Sequence, residues 1–135
     1  MATKVFMNLA VKDLKKSMDF FKQMGYTFNP QFTDETAACM VISEDIYAML
    51  LTHPKFKQFT SKEISDSTKT TEVMIALSCE SKEAVNATME NALKGGAKEY
   101  RDPMDYGFMF QRTYEDLDGH IWELIYMDMS KFPKQ

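Results

Sequence analysis

Apolar and polar residues alternate from Val5 to Val11, which is the period of a β-strand. Asp13 then offers an N-cap oxygen to a helix with apolar residues on one side, and Gly25 is placed to end that helix in a left-handed conformation. Three short strands are predicted next, at Tyr26 to Phe28, Ala37 to Ser43 and Ile46 to Thr52. The pattern predicts a βαβββ module over residues 4–52.

The same order of elements returns in the second half of the chain. Alternation resumes from Val73 to Cys79, Ser81 provides the N-cap of a second helix, and glycines at 95 and 96 end it. The pairs Val11/Asp13 and Cys79/Ser81 are related by an offset of 68 residues, which indicates a duplicated unit. Three further strands are predicted at Tyr100 to Met104, Gly107 to Thr113 and Ile121 to Met127. Residues 71–128 therefore form a second module, and residues 53–70, which lack periodicity, connect the two.

These elements predict an α+β fold in which two βαβββ modules form a curved mixed sheet with a concave cleft, within a single domain over residues 1–135. Each helix should cover the outer face of its own sheet. Because side chains alternate along a strand, the other positions of the first strand of each module should line the cleft. Those positions are Phe6, Asn8, Ala10, Met74, Ala76 and Ser78.

Composition narrows the possible partners. The net charge of -4 argues against a nucleic acid partner. The sequence lacks the run of about 20 apolar residues that a membrane helix needs, and it begins without a signal-peptide pattern, so we expect a cytoplasmic protein without membrane contact. Cys39 and Cys79 show no metal or redox spacing and are interpreted as reduced core thiols.

The strongest chemical signal is the segment Asp116 to Leu124, in which an Asp118-Gly119 turn leads into a predicted strand. Glu123 lies among apolar residues of that strand, and a buried carboxylate needs a partner. The candidates are Arg112 on the neighbouring strand, a backbone amide or the Asn8 amide, water, or a donor group of a bound ligand.

The residues Asn8 to Leu14 with Phe20, Phe21 and Gly25, then Ile75 to Ser78, and finally Asp116 to Leu124 resemble the vicinal oxygen chelate superfamily. This group includes glyoxalase I, extradiol dioxygenases, and fosfomycin and bleomycin resistance proteins. The resemblance covers nearly the whole chain and is strongest to small bacterial proteins described as predicted lactoylglutathione lyases. It implies a glyoxalase/bleomycin resistance-type fold.

The resemblance also implies where a catalytic divalent metal would be held. The terminal glutamate ligand of the superfamily corresponds to Glu123, but the two histidine positions correspond to Phe6 and Met74, and the remaining position, near Met49 or Leu50, is apolar. His53 and His120 are not expected to replace these ligands, because His120 and Glu123 point to opposite faces of one strand and His53 follows a strand end. The standard metal site is therefore expected to be absent, and no cofactor is predicted.

The favoured hypothesis is a protein that binds a small organic molecule in an apolar cleft without metal. The alternatives are a metal-dependent lyase of the lactoylglutathione lyase type, a dioxygenase-like enzyme, and a metal-free isomerase that uses Glu123 as a catalytic base among apolar neighbours. A homodimer is expected, since superfamily members often pair chains. The predicted ligand-binding residues, beside Glu123, are Phe6, Asn8, Met49, Met74, Ala76, Phe108, Phe110, Arg112 and Ile125.

Overall fold

A computed structural model describes residues 3–132 of the chain. The chain divides into two compact units, residues 1–66 and 67–135, and the division lies within the predicted connecting segment. Each unit is described by itself below.

The first unit contains one four-stranded sheet and a helix. Its elements are β1 (Val5–Val11), α1 (Leu14–Gln23), β2 (Thr27–Asn29), β3 (Ala37–Val41), β4 (Ile46–Thr52) and the short helix α2 (His53–Phe56). The strand order is β1-β4-β3-β2, with β1 parallel to β4 and the other pairs antiparallel. One 3₁₀ turn covers Pro30–Phe32.

The second unit repeats this arrangement. Its elements are β5 (Met74–Ser78), α3 (Lys82–Lys94), β6 (Lys98–Asp105), β7 (Met109–Glu115) and β8 (Ile121–Met127), followed by a 3₁₀ turn at Met129–Lys131. The strand order is β5-β8-β7-β6, with β5 parallel to β8 and the other pairs antiparallel. The α+β class and the two βαβββ modules are thus confirmed. β6 extends beyond its predicted bounds at both ends, and β7 is shifted by two residues toward the C-terminus relative to the predicted Gly107 to Thr113.

Local capping explains where the two long helices begin and end. The Asp13 carboxylate accepts a hydrogen bond from the Lys16 N–H at 3.1 Å, and the Ser81 hydroxyl accepts one from the Ala84 N–H at 3.0 Å. Each satisfies a donor that has no partner inside its helix. Gly25 follows α1 with a φ of 105°, a conformation that glycine adopts without steric cost.

The core of each unit lies between its helix and its sheet. In β1, Leu9 and Val11 are buried whereas Phe6 and Asn8 are exposed, and in β5 the exposed residues alternate with half-buried ones. This alternation agrees with the predicted faces at most positions. The exceptions are Val5 and Val73, which are exposed near the strand ends, and Ala10, which is buried although it was predicted to line the cleft. Cys39 is buried and Cys79 is half-buried, both as free thiols. No helix among residues 3–132 is long and apolar enough to span a membrane.

Candidate functional site

Glu123 lies on β8, an inner strand of the second unit that pairs with β5 and β7. It is opposite Thr113 of β7 on one side and Ala76 of β5 on the other, so these three residues share one face of the sheet. We call this the Glu123 face. By the same registers it also includes Gln111 and Ile125. The Glu123 side chain is 15% exposed.

Two donors hold the Glu123 carboxylate. The Gln111 side-chain amide donates to Oε2 at 2.7 Å, and the Arg101 guanidinium donates to the same oxygen from Nη2 at 2.9 Å. Gln111 is buried, and its amide also reaches the Thr113 hydroxyl at 3.4 Å. Within residues 3–132 no protein donor bonds to Oε1 of Glu123. The site therefore presents one anchored and one available carboxylate oxygen.

A β-bulge brings Arg101 to the Glu123 face. Glu99 pairs with Tyr114 and Arg101 pairs with Thr113, so two steps along β6 match a single step along β7, and Tyr100 is the extra residue. Residues two apart in a regular strand point to the same side. The bulge reverses this, which places Arg101 beside Glu123 and leaves Glu99 on the helix side.

Arg112 lies on the opposite face, so its predicted pairing with Glu123 is wrong. It is opposite Leu124, and its guanidinium donates to both carboxylate oxygens of Glu99, at 3.0 and 2.9 Å, and to Asn86 of α3 at 3.0 Å. Strand alternation accounts for the error, because opposed residues share a face and Leu124 faces the helix. Arg112 connects α3 to β6 and β7 and does not contribute to the Glu123 face.

Phe110 is also on the helix side, contrary to the prediction that it lines the cleft. It is two residues from Arg112 in β7, and the ammonium of Lys82, on α3, lies 5.2 Å from its ring centroid. Phe108 precedes β7 and packs edge-on against Phe132, with ring centroids 4.9 Å apart. Neither ring is placed beside the carboxylate of Glu123.

Three other predicted residues do share the Glu123 face. Ala76 is opposite Glu123, Met74 lies two residues before it on β5 and is 53% exposed, and Ile125 is half-buried on β8. They add apolar surface to this face, whereas the contacts of the carboxylate itself are with the polar residues Gln111 and Arg101. The partners of Glu123 are therefore Gln111 and Arg101, and neither of the side chains that the sequence suggested, Arg112 and Asn8, bonds to it.

The remaining predicted residues belong to the first unit. Phe6 is opposite Tyr47, and the two rings stack with centroids 4.8 Å apart. Asn8 is opposite Met49, so all four side chains lie on one face of that sheet. Phe6 is 53% exposed, Asn8 is exposed and Met49 is half-buried.

The donor set around Glu123 does not fit the metal site that the superfamily resemblance implies. The carboxylate is in contact with the Arg101 guanidinium, which is a cation and has no lone pair to offer a metal. The other position on this face that the resemblance assigns to a metal ligand is occupied by Met74 instead of histidine. In the described part of the chain no three His, Cys, Asp or Glu side chains are grouped so that they could hold a metal ion.

The turn before β8 fixes the position of Glu123. Asp116 is buried and accepts hydrogen bonds from the N–H groups of Asp118 and His120, at 2.9 and 3.0 Å, and from the Trp122 indole at 2.9 Å. Loss of hydration in this position raises the pKa of the Asp116 carboxyl, against the opposing effect of its hydrogen bonds and of nearby His120. His120 lies in this turn, directly before β8.

Gln111, Thr113 and Arg101 were not identified by sequence reasoning. Counting outward from a two-residue Asp118-Gly119 turn would place Tyr114 opposite Glu123. The observed connection covers residues 116–120 and pairs Thr113 with Glu123, so the face of β7 that carries Gln111 and Thr113 does not follow from that turn. Arg101 could not be found from the local pattern either. Regular alternation would have placed Arg101 on the same face of the sheet as Glu99. The sequence around Tyr100 carries no glycine that would signal a bulge.

Comparison with known proteins gives one family match. Residues 3–43 match the bleomycin resistance protein-like N-terminal family model. A search of curated proteins finds no match.

Solved structures similar to this chain cover almost all of it. A hypothetical protein from S. aureus is 26% identical, with a TM-score of 0.78, over 93% of this chain and 95% of that one. A glyoxalase/bleomycin resistance protein/dioxygenase family enzyme from Burkholderia phytofirmans is 16% identical, with a TM-score of 0.77, over 93% and 99%. A genomically encoded fosfomycin resistance protein from Listeria monocytogenes is 18% identical, with a TM-score of 0.69, over 97% and 98%. These findings confirm the glyoxalase/bleomycin resistance-type fold.

Proposed function

Because this chain has the fold of the glyoxalase/bleomycin resistance/dioxygenase proteins, we propose that it binds a small organic molecule on the Glu123 face without the catalytic metal of that fold. The observation that carries the proposal is the state of the Glu123 carboxylate. Gln111 and Arg101 hold Oε2, while Oε1 has no protein donor within residues 3–132. That oxygen is an acceptor in a fixed position.

A ligand on this face meets both polar and apolar groups. Its hydroxyl or N–H donates to Oε1 of Glu123, and its carbon skeleton packs against Met74, Ala76 and Ile125. A few fixed polar groups within mostly apolar walls are typical of small-molecule sites. Burial of Gln111 stabilises the arrangement, because its amide hydrogen bond to Glu123 is shielded from water.

The chemistry of the donor set supports binding without metal. Catalytic zinc sites generally keep three protein ligands, and transition metals select nitrogen, sulfur or carboxylate donors. Here Glu123 is the retained ligand position, and its charge is balanced by the Arg101 guanidinium 2.9 Å away. A divalent ion at the carboxylate would be repelled by this fixed cation.

Metal analysis tests the proposal directly. Protein purified without chelator and then incubated with zinc, nickel, manganese or ferrous iron should retain far less than one ion per chain after gel filtration. Stoichiometric tight metal in the wild type that is lost in Glu123→Gln would overturn the proposal and favour a lyase or dioxygenase.

A ligand screen gives the second test, with bleomycin and fosfomycin included because the similar proteins carry those names. Glu123→Gln should stay folded and lose part of the affinity for a bound compound, about tenfold for a hydrogen bond to a charged acceptor. Glu90→Gln is the matched control, because Glu90 lies on α3 and its side chain is 58% exposed. Turnover of a compound that falls by orders of magnitude in Glu123→Gln would instead indicate proton transfer.

We also propose that the chain forms a homodimer. Strands β1 and β5 each lie at an edge of their sheet. Both carry exposed apolar residues, including Phe6 and Met74, each 53% exposed. An edge strand with exposed apolar side chains favours association with another chain.

A further inference from the structure

We propose that the molecule bound on the Glu123 face is an organic anion and that Arg101 binds its anionic oxygens. This inference rests on the proposed function and deepens it by naming the charge of the ligand. It assigns a binding role to a residue that belongs to neither the expected metal site nor the predicted apolar wall.

The two arginines of the chain differ in how many of their guanidinium N–H groups are used by protein acceptors. The Arg112 side chain is 12% exposed, and its Nε, Nη1 and Nη2 all donate to Glu99, Asn86 or Glu90. Arg101 is 40% exposed and donates from Nη2 to Glu123. Within the described range no protein acceptor bonds to Nε or Nη1 of Arg101. These N–H groups, together with the second N–H of Nη2, are available to a ligand.

The shape of the guanidinium decides which ligand groups fit. Its N–H donors lie in one plane and match the paired oxygens of a carboxylate or phosphonate. A neutral carbonyl would accept fewer hydrogen bonds and gain no charge attraction. An organic acid with a hydroxyl or N–H near its anionic group would use both Arg101 and the available oxygen of Glu123.

Arg101 is also positioned before a ligand arrives. The bulge at Tyr100 turns it onto the Glu123 face, and the hydrogen bond to Glu123 restrains the end of its side chain. Glu123 is in turn held by buried Gln111. A side chain that is already restrained loses less conformational entropy on binding, which favours affinity.

The experiment uses three probes that share a phenyl ring: benzoate, phenylphosphonate and neutral benzamide. Binding to the full-length protein is followed by ¹H–¹⁵N NMR, including the guanidinium Nε–H signal of Arg101. We expect benzoate, phenylphosphonate or both to shift this signal and to bind at least about tenfold more tightly than benzamide. Comparing the two anions separates a carboxylate preference from a phosphonate preference.

Variants then assign the effect to Arg101. Arg101→Gln should weaken anion binding about tenfold or more, and Arg101→Lys should restore part of it, because lysine keeps the charge but loses the planar fork. Lys82→Gln is the matched control, since it removes an exposed cation that bonds to Asp105 on the helix side. It should leave anion binding unchanged. Trp122 fluorescence checks that each variant remains folded.

The outcomes separate this inference from the proposed function. Benzamide binding that equals benzoate binding and survives Arg101→Gln would overturn the anion inference while leaving a small-molecule site on the Glu123 face. Failure of both anions to bind at about 10 mM would also overturn it. Tight metal lost in Glu123→Gln would overturn the proposed function itself.

Discussion

Among single residues, Gly119 has the least room for a side chain. Its φ is +87°, and a Cβ built on it would lie 2.5 Å from the carbonyl oxygen of Ser67, which is a backbone atom and cannot rotate away. The turn that leads into β8 and Glu123 thus packs closely against the backbone of Ser67 and Thr68. The residue is therefore required both by its conformation and by close packing against the chain.

Gly119→Ala should reduce the free energy of unfolding by about 3 kcal/mol or more, from an unfavourable left-handed conformation plus a backbone clash. Gly25→Ala is the control, because Gly25 has a φ of +105° and nothing within 4 Å of the added Cβ. It should cost only about 1 to 2 kcal/mol. Urea unfolding followed by Trp122 fluorescence measures both, and equal losses would contradict the packing argument.

Asp116 gives stability a predictable dependence on pH. Burial raises the pKa of its carboxyl, so the folded protein holds the proton more tightly than the unfolded chain does. The contribution of Asp116 to the free energy of unfolding is therefore greatest below the unfolded pKa of about 4, and it is lost as the pH rises through the folded pKa. Relative to Asp116→Asn, the wild type should lose stability as pH rises from about 4. Urea titrations at several pH values test this, and parallel curves would contradict it.

At the scale of elements, the helices and most strands follow from local pattern, whereas the site depends on register. Ser81 and Asp13 cap helices where their spacing to the apolar positions predicts. The Asp118-Gly119 pair predicts the turn before β8, but the pairing of Glu123 with Thr113 depends on a connection of five residues, 116–120. Arg101 does not follow from any local rule, because a bulge depends on how two strands pair and a single strand's alternation contains no record of it.

Arg112 illustrates how pairing between strands determines the role of a residue. Replacing it by alanine removes the cation that links Glu99 of β6 to α3 and leaves that carboxylate, 28% exposed, without its main partner. Arg112→Ala should reduce the free energy of unfolding by about 2 kcal/mol, less than for a fully buried pair because of this solvent access. Ligand affinity on the Glu123 face should remain unchanged. A loss of affinity without a loss of stability would restore Arg112 to the binding site.

At the scale of the whole molecule, the two modules share a fold but differ in chemistry. The offset of 68 residues relates Asn8 to Ala76, and their neighbours in the sheet are Met49 and Glu123. The next strand contributes Cys39 in the first unit and Thr113 in the second. The second module therefore has a carboxylate with polar neighbours where the first has methionine and cysteine, so duplication preserved the sheet order but not the site.

The final prediction concerns assembly. The edge strands β1 and β5 carry apolar side chains that are about half exposed, and their burial in a dimer interface would contribute roughly 25 cal/mol for each Å² removed from water. Sedimentation at micromolar concentration should give twice the chain mass of 15.6 kDa.

Phe6→Lys should shift the protein toward monomer, because a charge at an edge strand opposes pairing. Phe59→Lys, which changes a 65% exposed residue outside the strands, should remain dimeric. A wild-type mass equal to that of one chain would exclude the homodimer. Loss of the dimer in both variants would show that the edge of β1 is not the specific dimer interface.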